Sequence, residues 1–212
     1  DHCAELREGS FLLVDSGAQY LGGTTDITRT IPLGEIPGSY RRDYTLVLQA
    51  FIRLHAARFP EGCTGKSLDV LSRQVMWENY LDYKHGTGHG VGCYLNDHEG
   101  PTNFANARVP MEEGMVISIE PGIYRAGMLG VRTENLVTVV RDKRSDEFGQ
   151  FFRFEPLTLC PINTQAIETK MLSRSEVAWL NQYHSYVFEQ LSPMLEPEER
   201  KWLGAATAPL HI

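Results

Sequence analysis

Two hundred and twelve residues, 42% of them hydrophobic and 22% charged, are enough for one large domain or two small ones with a sizeable core, which excludes a disordered chain. Lys and Arg number 20 against 27 Asp and Glu, and the formal charge of −7 offers no general attraction to a phosphate backbone, so nucleic acid is excluded as a partner. The longest apolar runs, such as Met115 to Ile119, fall far short of the roughly 20 residues a membrane helix needs, so no membrane association is expected.

Asp1 is followed by His2, Cys3 and Ala4 rather than by a charged and then apolar leader, so the start reads as a cut inside a longer protein. Cys3, Cys63, Cys93 and Cys160 are widely separated and form no C-x-x-C pair, which fits a reducing, cytoplasmic compartment. Phe11 to Asp15 and Thr24 to Ile31, joined by Gly22-Gly23, predict a hairpin with an acid on each arm. A helical pattern runs from Ser39 through Tyr44, Val47, Leu48, Phe51 and Ile52 and stops before Pro60. Ser67 is the expected cap of a second helix carrying Leu68, Leu71 and Val75.

Lys84 to Gly92, Lys-His-Gly-Thr-Gly-His-Gly-Val-Gly, has too much glycine for an ordinary helix and reads as backbone held close to something. Met115 to Glu120 and Val131 to Val140 predict strands joined through Pro121-Gly122, Asp142 to Asp146 a charged turn, and Phe151 to Leu159 a further strand. Beyond Pro161, Ser173 or Ser175 is expected to cap a helix with Val177, Leu180 and Val187 on one side, and a shorter helix follows Pro197. The order predicts an α+β fold, helices packed on a mainly antiparallel sheet, with residues 1–160 forming one domain and 161–212 a helical extension.

Asp15, Asp26, His89, Glu120 and Glu134 lie on predicted strands or beside glycine-rich turns. Each has an ordinary reading alone: Asp15 and Asp26 as turn or cap residues, Glu120 as a solvated strand end, Glu134 as an ion-pair partner of Arg132, His89 as a structural histidine. Together they are four carboxylates and one imidazole, and burying such a set requires cations. Two divalent ions sharing bridging carboxylates would supply them, and Mn, Co, Fe or Zn all suit this donor set.

The motifs Leu13-Val14-Asp15-Ser16-Gly17, Thr25-Asp26-Ile27-Thr28-Arg29-Thr30, His85-Gly86-Thr87-Gly88-His89-Gly90, Ile119-Glu120-Pro121-Gly122 and Arg132-Thr133-Glu134-Asn135, in this order, resemble the pita-bread metallopeptidases. His98-Glu99-Gly100-Pro101, Phe154-Glu155-Pro156-Leu157 and Leu180-Asn181-Gln182-Tyr183 are similar to the Xaa-Pro aminopeptidase branch in its cytosolic three-domain form. The resemblance implies the pita-bread fold, a curved sheet covered by helices, and two metal ions, Mn2+ first and Zn2+ or Co2+ next. Asp15 would chelate one metal, Asp26 and Glu134 bridge both, and His89 and Glu120 complete the coordination of the second metal.

The implied reaction is hydrolysis of the bond between an N-terminal residue and a following proline by a hydroxide bridging the two metals. Glu120 matches the proton acceptor, His98 and His85 match catalytic and substrate-binding histidines, and Arg132 matches an arginine that supports the bridging carboxylates. His184, at helical spacing with Leu180 and Val187, is assigned no chemistry. The implied partners are peptides with proline at the second position and a second subunit in a homodimer. The alternatives are a prolidase, which cleaves Xaa-Pro dipeptides with the same donors, and a non-catalytic pita-bread module that binds peptides. The family also places a pocket histidine and a tyrosine upstream of the first Asp motif, and His2 lies too near Asp15 to match that histidine. The chain thus reads as the later part of a catalytic domain with its C-terminal extension, metal ligands complete and substrate pocket incomplete.

Overall fold

The computed structural model describes residues 5–93 and 96–211. The readings on His2, on Cys3 and on the start of the chain lie outside the described residues. Strands β1 (Ser10–Tyr20) and β2 (Gly23–Leu33) form the expected hairpin, paired from Ser10 with Leu33 to Tyr20 with Gly23. Helix α1 (Gly38–His55) follows, then β3 (Arg58–Pro60) and α2 (Gly65–Trp77). The middle of the chain is strand-rich: β4 (His89–Val91), β5 (His98–Asn103), β6 (Val116–Ile119), β7 (Gly122–Arg125), β8 (Leu129–Arg132), β9 (Asn135–Asp146) and β10 (Gly149–Pro156). Helices α3 (Arg174–Leu191) and α4 (Pro197–Ala206) close the order.

Among the described residues every strand pairing is antiparallel, so the α+β expectation holds, but their strands divide into three sheets rather than one. Six strands form the main sheet in the order β3-β10-β9-β6-β4-β5, while β1-β2 and β7-β8 are separate hairpins. Helix α1 lies largely within the core: Tyr44, Leu46, Val47, Leu48, Ala50, Phe51, Ile52 and Leu54 are all buried, while Arg42 and Arg53 are exposed on a narrow polar face, the pattern of an amphipathic helix. Each large side chain among them contributes about 1.5–3 kcal/mol by leaving water. No helix among the described residues is long and apolar enough to cross a membrane.

Three sequence expectations shift. Thr64, not Ser67, caps α2, its hydroxyl accepting the Ser67 N–H at 3.4 Å. Val131 to Val140 is not one strand: it breaks at Thr133-Glu134 because the Glu134 N–H turns aside to the Thr28 carbonyl of β2. Asp142 to Asp146 is strand rather than turn; the chain reverses just beyond it, where the Asp146 carboxylate accepts the Phe148 N–H at 3.0 Å. Ser173 does cap α3, in a reciprocal box with Glu176.

Candidate metal centre

Strand alternation puts Asp26, Thr28 and Thr30 of β2 on one buried face. That face meets the break between β8 and β9, where Thr28 donates its hydroxyl to Glu134 Oε2 at 2.5 Å and Thr30 donates to the Arg132 carbonyl at 2.9 Å. From the other side come His89, first residue of β4, and Glu120, just past β6. His89 Nε2 lies 3.5 Å from Asp26 Oδ2 and 3.3 Å from Glu120 Oε1. Asp26, His89 and Glu134 bring one donor atom each within 4.8 Å of one another.

Glycine makes this approach possible. A Cβ on Gly88 would lie 1.8 Å from the Ser118 carbonyl oxygen, and one on Gly90 would lie 2.1 Å from that of Glu99. The backbone that carries His89 is therefore pressed against its neighbouring strands, as the glycine pattern predicts. The Gly90 carbonyl, 3.0 Å from His89 Nδ1, holds the proton on that nitrogen and leaves Nε2 facing the carboxylates.

Arg132 organises the rim. It donates to Asp15, to the Tyr124 hydroxyl at 2.9 Å and to the Thr28 hydroxyl at 3.1 Å, and its Nε stands 3.8 Å from Glu120. It reaches Glu134 through Thr28 rather than directly, because Glu134 lies in the irregular break and not on a shared strand face. Asp15 is half exposed, held toward the group by Arg132 but outside the close trio. His85 lies against Tyr124, whose hydroxyl is 2.9 Å from Nε2, while Nδ1 donates to the Gly86 carbonyl. His98 is largely exposed and stacks its ring on His89 with centroids 3.7 Å apart. His184 is fully buried in α3 and accepts the Ile162 N–H at 3.1 Å, a structural role.

The electrostatics are those of crowded acids. Burial, and then the charge of Glu120, push the Glu134 carboxyl well above the usual range, and burial also raises Glu120. Burial opposes the charge on His89, yet its contact with Asp26 and the nearby acids raise it to about 9. Glu134 Oε1 is buried with no hydrogen-bond partner. An orphaned carboxylate oxygen inside a set of hard oxygen donors and one imidazole fits divalent cations, which would relieve the repulsion.

Three contributors escaped the sequence reading. Thr28 was legible, two residues beyond Asp26 on the same face. Tyr124 carried no signal, since its role depends on the β7-β8 hairpin turning back over the site. Asp97 reads as a loop acid, but its Oδ1 is buried with no hydrogen bond among the described residues and its Oδ2 is 3.8 Å from His98 Nε2. Two surface grooves of about 690 and 590 Å³ are lined elsewhere, between α1 and α3 and around His55, and include none of these residues.

Residues 1–141 match metallopeptidase family M24, and residues 150–210 match the C-terminal region of peptidase M24. A probable Xaa-Pro aminopeptidase P from Tuber melanosporum is 44% identical over 99% of this chain, which covers 35% of that protein. The structure of X-prolyl aminopeptidase from Caenorhabditis elegans, described as a cytosolic enzyme with a di-nuclear active site, superposes with a TM-score of 0.91 at 40% identity, over 94% of this chain and 33% of that one. The Xaa-Pro dipeptidase of Bacillus anthracis superposes with a TM-score of 0.61 at 35% identity, over 74% of this chain and 41% of that one. The chain thus spans about a third of the length of the aminopeptidases it matches.

Proposed function

This chain belongs to metallopeptidase family M24, and on that premise we propose that it carries the metal centre of an Xaa-Pro aminopeptidase. The observation that carries the reading is the convergence of Asp26, His89 and Glu134, with Glu120 beside them and Asp15 at the rim, on a point where Glu134 Oε1 makes no hydrogen bond among the described residues. These five residues would hold two divalent cations, with Mn2+ the first candidate and Zn2+ or Co2+ also suited to the donors. When bound, the cations supply a Lewis acid for the scissile carbonyl and a water of lowered pKa.

The protein groups divide the remaining work. Ser118 donates to Glu120 Oε1 at 3.2 Å and orients that carboxylate, whose raised pKa suits it to accept a proton. Arg132 and Tyr124 form a hydrogen-bonded chain that ends on His85, fixing its ring at the edge of the site. His98 is the group proposed to meet a peptide: its ring is exposed, stacked on His89 and 3.8 Å from Asp97, and makes no hydrogen bond among the described residues. The substrates proposed are peptides with proline at the second position, and the assembly proposed for the whole protein is a homodimer. The division at residue 160 is supported by β10, the last strand of the main sheet, ending at Pro156.

A prolidase would use the same donors. Coverage favours the aminopeptidase, since the Caenorhabditis elegans enzyme matches 94% of this chain and the Bacillus anthracis dipeptidase 74%. Hydrolysis of an X-Pro-X tripeptide by the full-length protein with Mn2+, and none of an X-Pro dipeptide, is the expected result; the reverse preference would make it a prolidase. In the same assay His98→Ala should lower kcat at least about tenfold at unchanged metal content, and a near-normal kcat would remove His98 from the chemistry.

A further inference from the structure

Arg29 sits on β2 between Thr28 and Thr30, so strand alternation sends its side chain away from Asp26 and toward the segment beyond β10. Its Nε donates to the Pro161 carbonyl at 3.0 Å. Nη1 donates to the carbonyls of Thr28 at 2.9 Å and Glu134 at 2.6 Å. Nη2 meets Asn135 Oδ1 at 2.7 Å, the Cys160 carbonyl at 2.8 Å and the Tyr183 hydroxyl at 3.2 Å. Five N–H groups thus serve six acceptors, all of them uncharged, and no carboxylate pairs with this guanidinium among the described residues.

A partly buried cation held only by dipoles takes its solvation from them, so moving any one acceptor strips part of that solvation. Glu134 is consequently held at three atoms by two adjacent residues of β2. Its carbonyl takes an N–H from Arg29, its N–H goes to the Thr28 carbonyl at 3.1 Å, and its Oε2 takes the Thr28 hydroxyl. The same planar fork grips Cys160, Pro161 and, through its hydroxyl, Tyr183 of α3. We infer that Arg29 is a positioning residue that couples the C-terminal region to the metal centre by fixing the main chain of Glu134. The inference rests on the reading of Glu134 as a metal ligand.

The test is a titration of the metal-free full-length protein with Co2+, followed by calorimetry and by the visible absorption of the bound ion. Wild type is expected to take two equivalents. Arg29→Gln should keep its circular dichroism, weaken the second equivalent about 10- to 100-fold and alter its visible band, as expected for loss of a group that orients a ligand. Arg29→Lys keeps the charge but not the fork and should follow Gln. Arg41→Gln is the control: Arg41 donates to the Gln165 carbonyl and ties α1 to the same C-terminal region without touching Glu134. It should lower Tm and leave Co2+ binding unchanged.

Wild-type affinity and spectrum in folded Arg29→Gln would overturn the coupling while leaving the metal reading intact, and so would an equal loss of Co2+ binding in Arg41→Gln. Absence of Co2+ binding in wild type would overturn both. Should Arg29→Gln fail to fold, Tyr183→Phe removes one acceptor of the same fork; a weaker second equivalent then supports the coupling and an unchanged one overturns it.

Discussion

Among the described residues the hydrogen bonds of Glu134 are made to Thr28 and Arg29 of β2, which helps keep a carboxylate with almost no access to water beside Asp26 and Glu120. His184 solves the opposite problem, a titratable ring kept neutral. Its Nε2 accepts the Ile162 N–H at 3.1 Å, and burial, aided by the charge of Arg29, lowers its pKa from the usual 6.5 to about 4. His55, buried against Phe51 and Trp179, is lowered to about 4 as well. The unfolded chain therefore binds protons at these positions at a pH where the folded chain does not. The stability gained by keeping each ring neutral is complete above about pH 6.5 and is lost as the pH falls toward 4, on the order of 1–3 kcal/mol for each histidine. His184→Gln retains an acceptor for Ile162 without titrating. Urea unfolding between pH 4.5 and 6 should then show a shallower dependence on pH in the variant than in wild type, the remainder coming from His55. Equal slopes would mean that His184 takes its proton in the folded protein at the ordinary pH.

Strand β4 is three residues long, yet it places His89, and its pairing with β5 places His98. Its glycine is a matter of space rather than of φ: at Gly90 an added methyl would meet the Glu99 carbonyl at 2.1 Å and the Thr102 carbonyl at 3.1 Å, both of them backbone. Gly90→Ala must push β4 and β5 apart, so it should destabilise the fold by about 1–3 kcal/mol or more and reduce bound metal. Unfolding curves with metal analysis of the same samples would check this, and wild-type values in both would show that the strands can give. The glycine motif was legible in the sequence because crowding of this kind leaves no other residue possible. So were α1, whose apolar residues recur at the spacing of an amphipathic helix, and α3, whose Ser173 and Glu176 stand at capping-box spacing. The break at Thr133-Glu134 was not, since nothing local interrupts Val131 to Val140; the interruption comes from the Thr28 carbonyl, far away in the chain. The β7-β8 hairpin was missed for a related reason, its turn through Gly127 lying inside a segment whose flanking strands are only four residues each.

At the scale of the molecule, the proposed donors come from both sides of a seam: Asp15 and Asp26 from the β1-β2 hairpin, His89, Glu120 and Glu134 from strands and junctions of the main sheet. The five positions stand out in the sequence because acids at strand ends and a histidine among glycines are conspicuous, whereas the half-exposed setting of Asp15 does not, because it depends on what lies beside β1. Among the described residues β1 pairs with β2 alone, and from Val14 onward most of its residues face solvent. On β1, Val14 is 39% exposed and Tyr20 62%, so the free edge also carries exposed apolar side chains. An unprotected strand edge with apolar side chains is a template for pairing with another chain. Residues 1–212 prepared alone should therefore associate, with a light-scattering mass that rises with concentration. Lysine at an edge position disfavours such pairing, so Val14→Lys should shift the mass toward that of one chain without changing the helical circular dichroism. A single-chain mass over a hundredfold range of concentration would show that the hairpin covers its own edge. In that case the exposure of Asp15 would be a property of the site itself, and its hold on a cation would depend on Arg132 rather than on anything packed against β1.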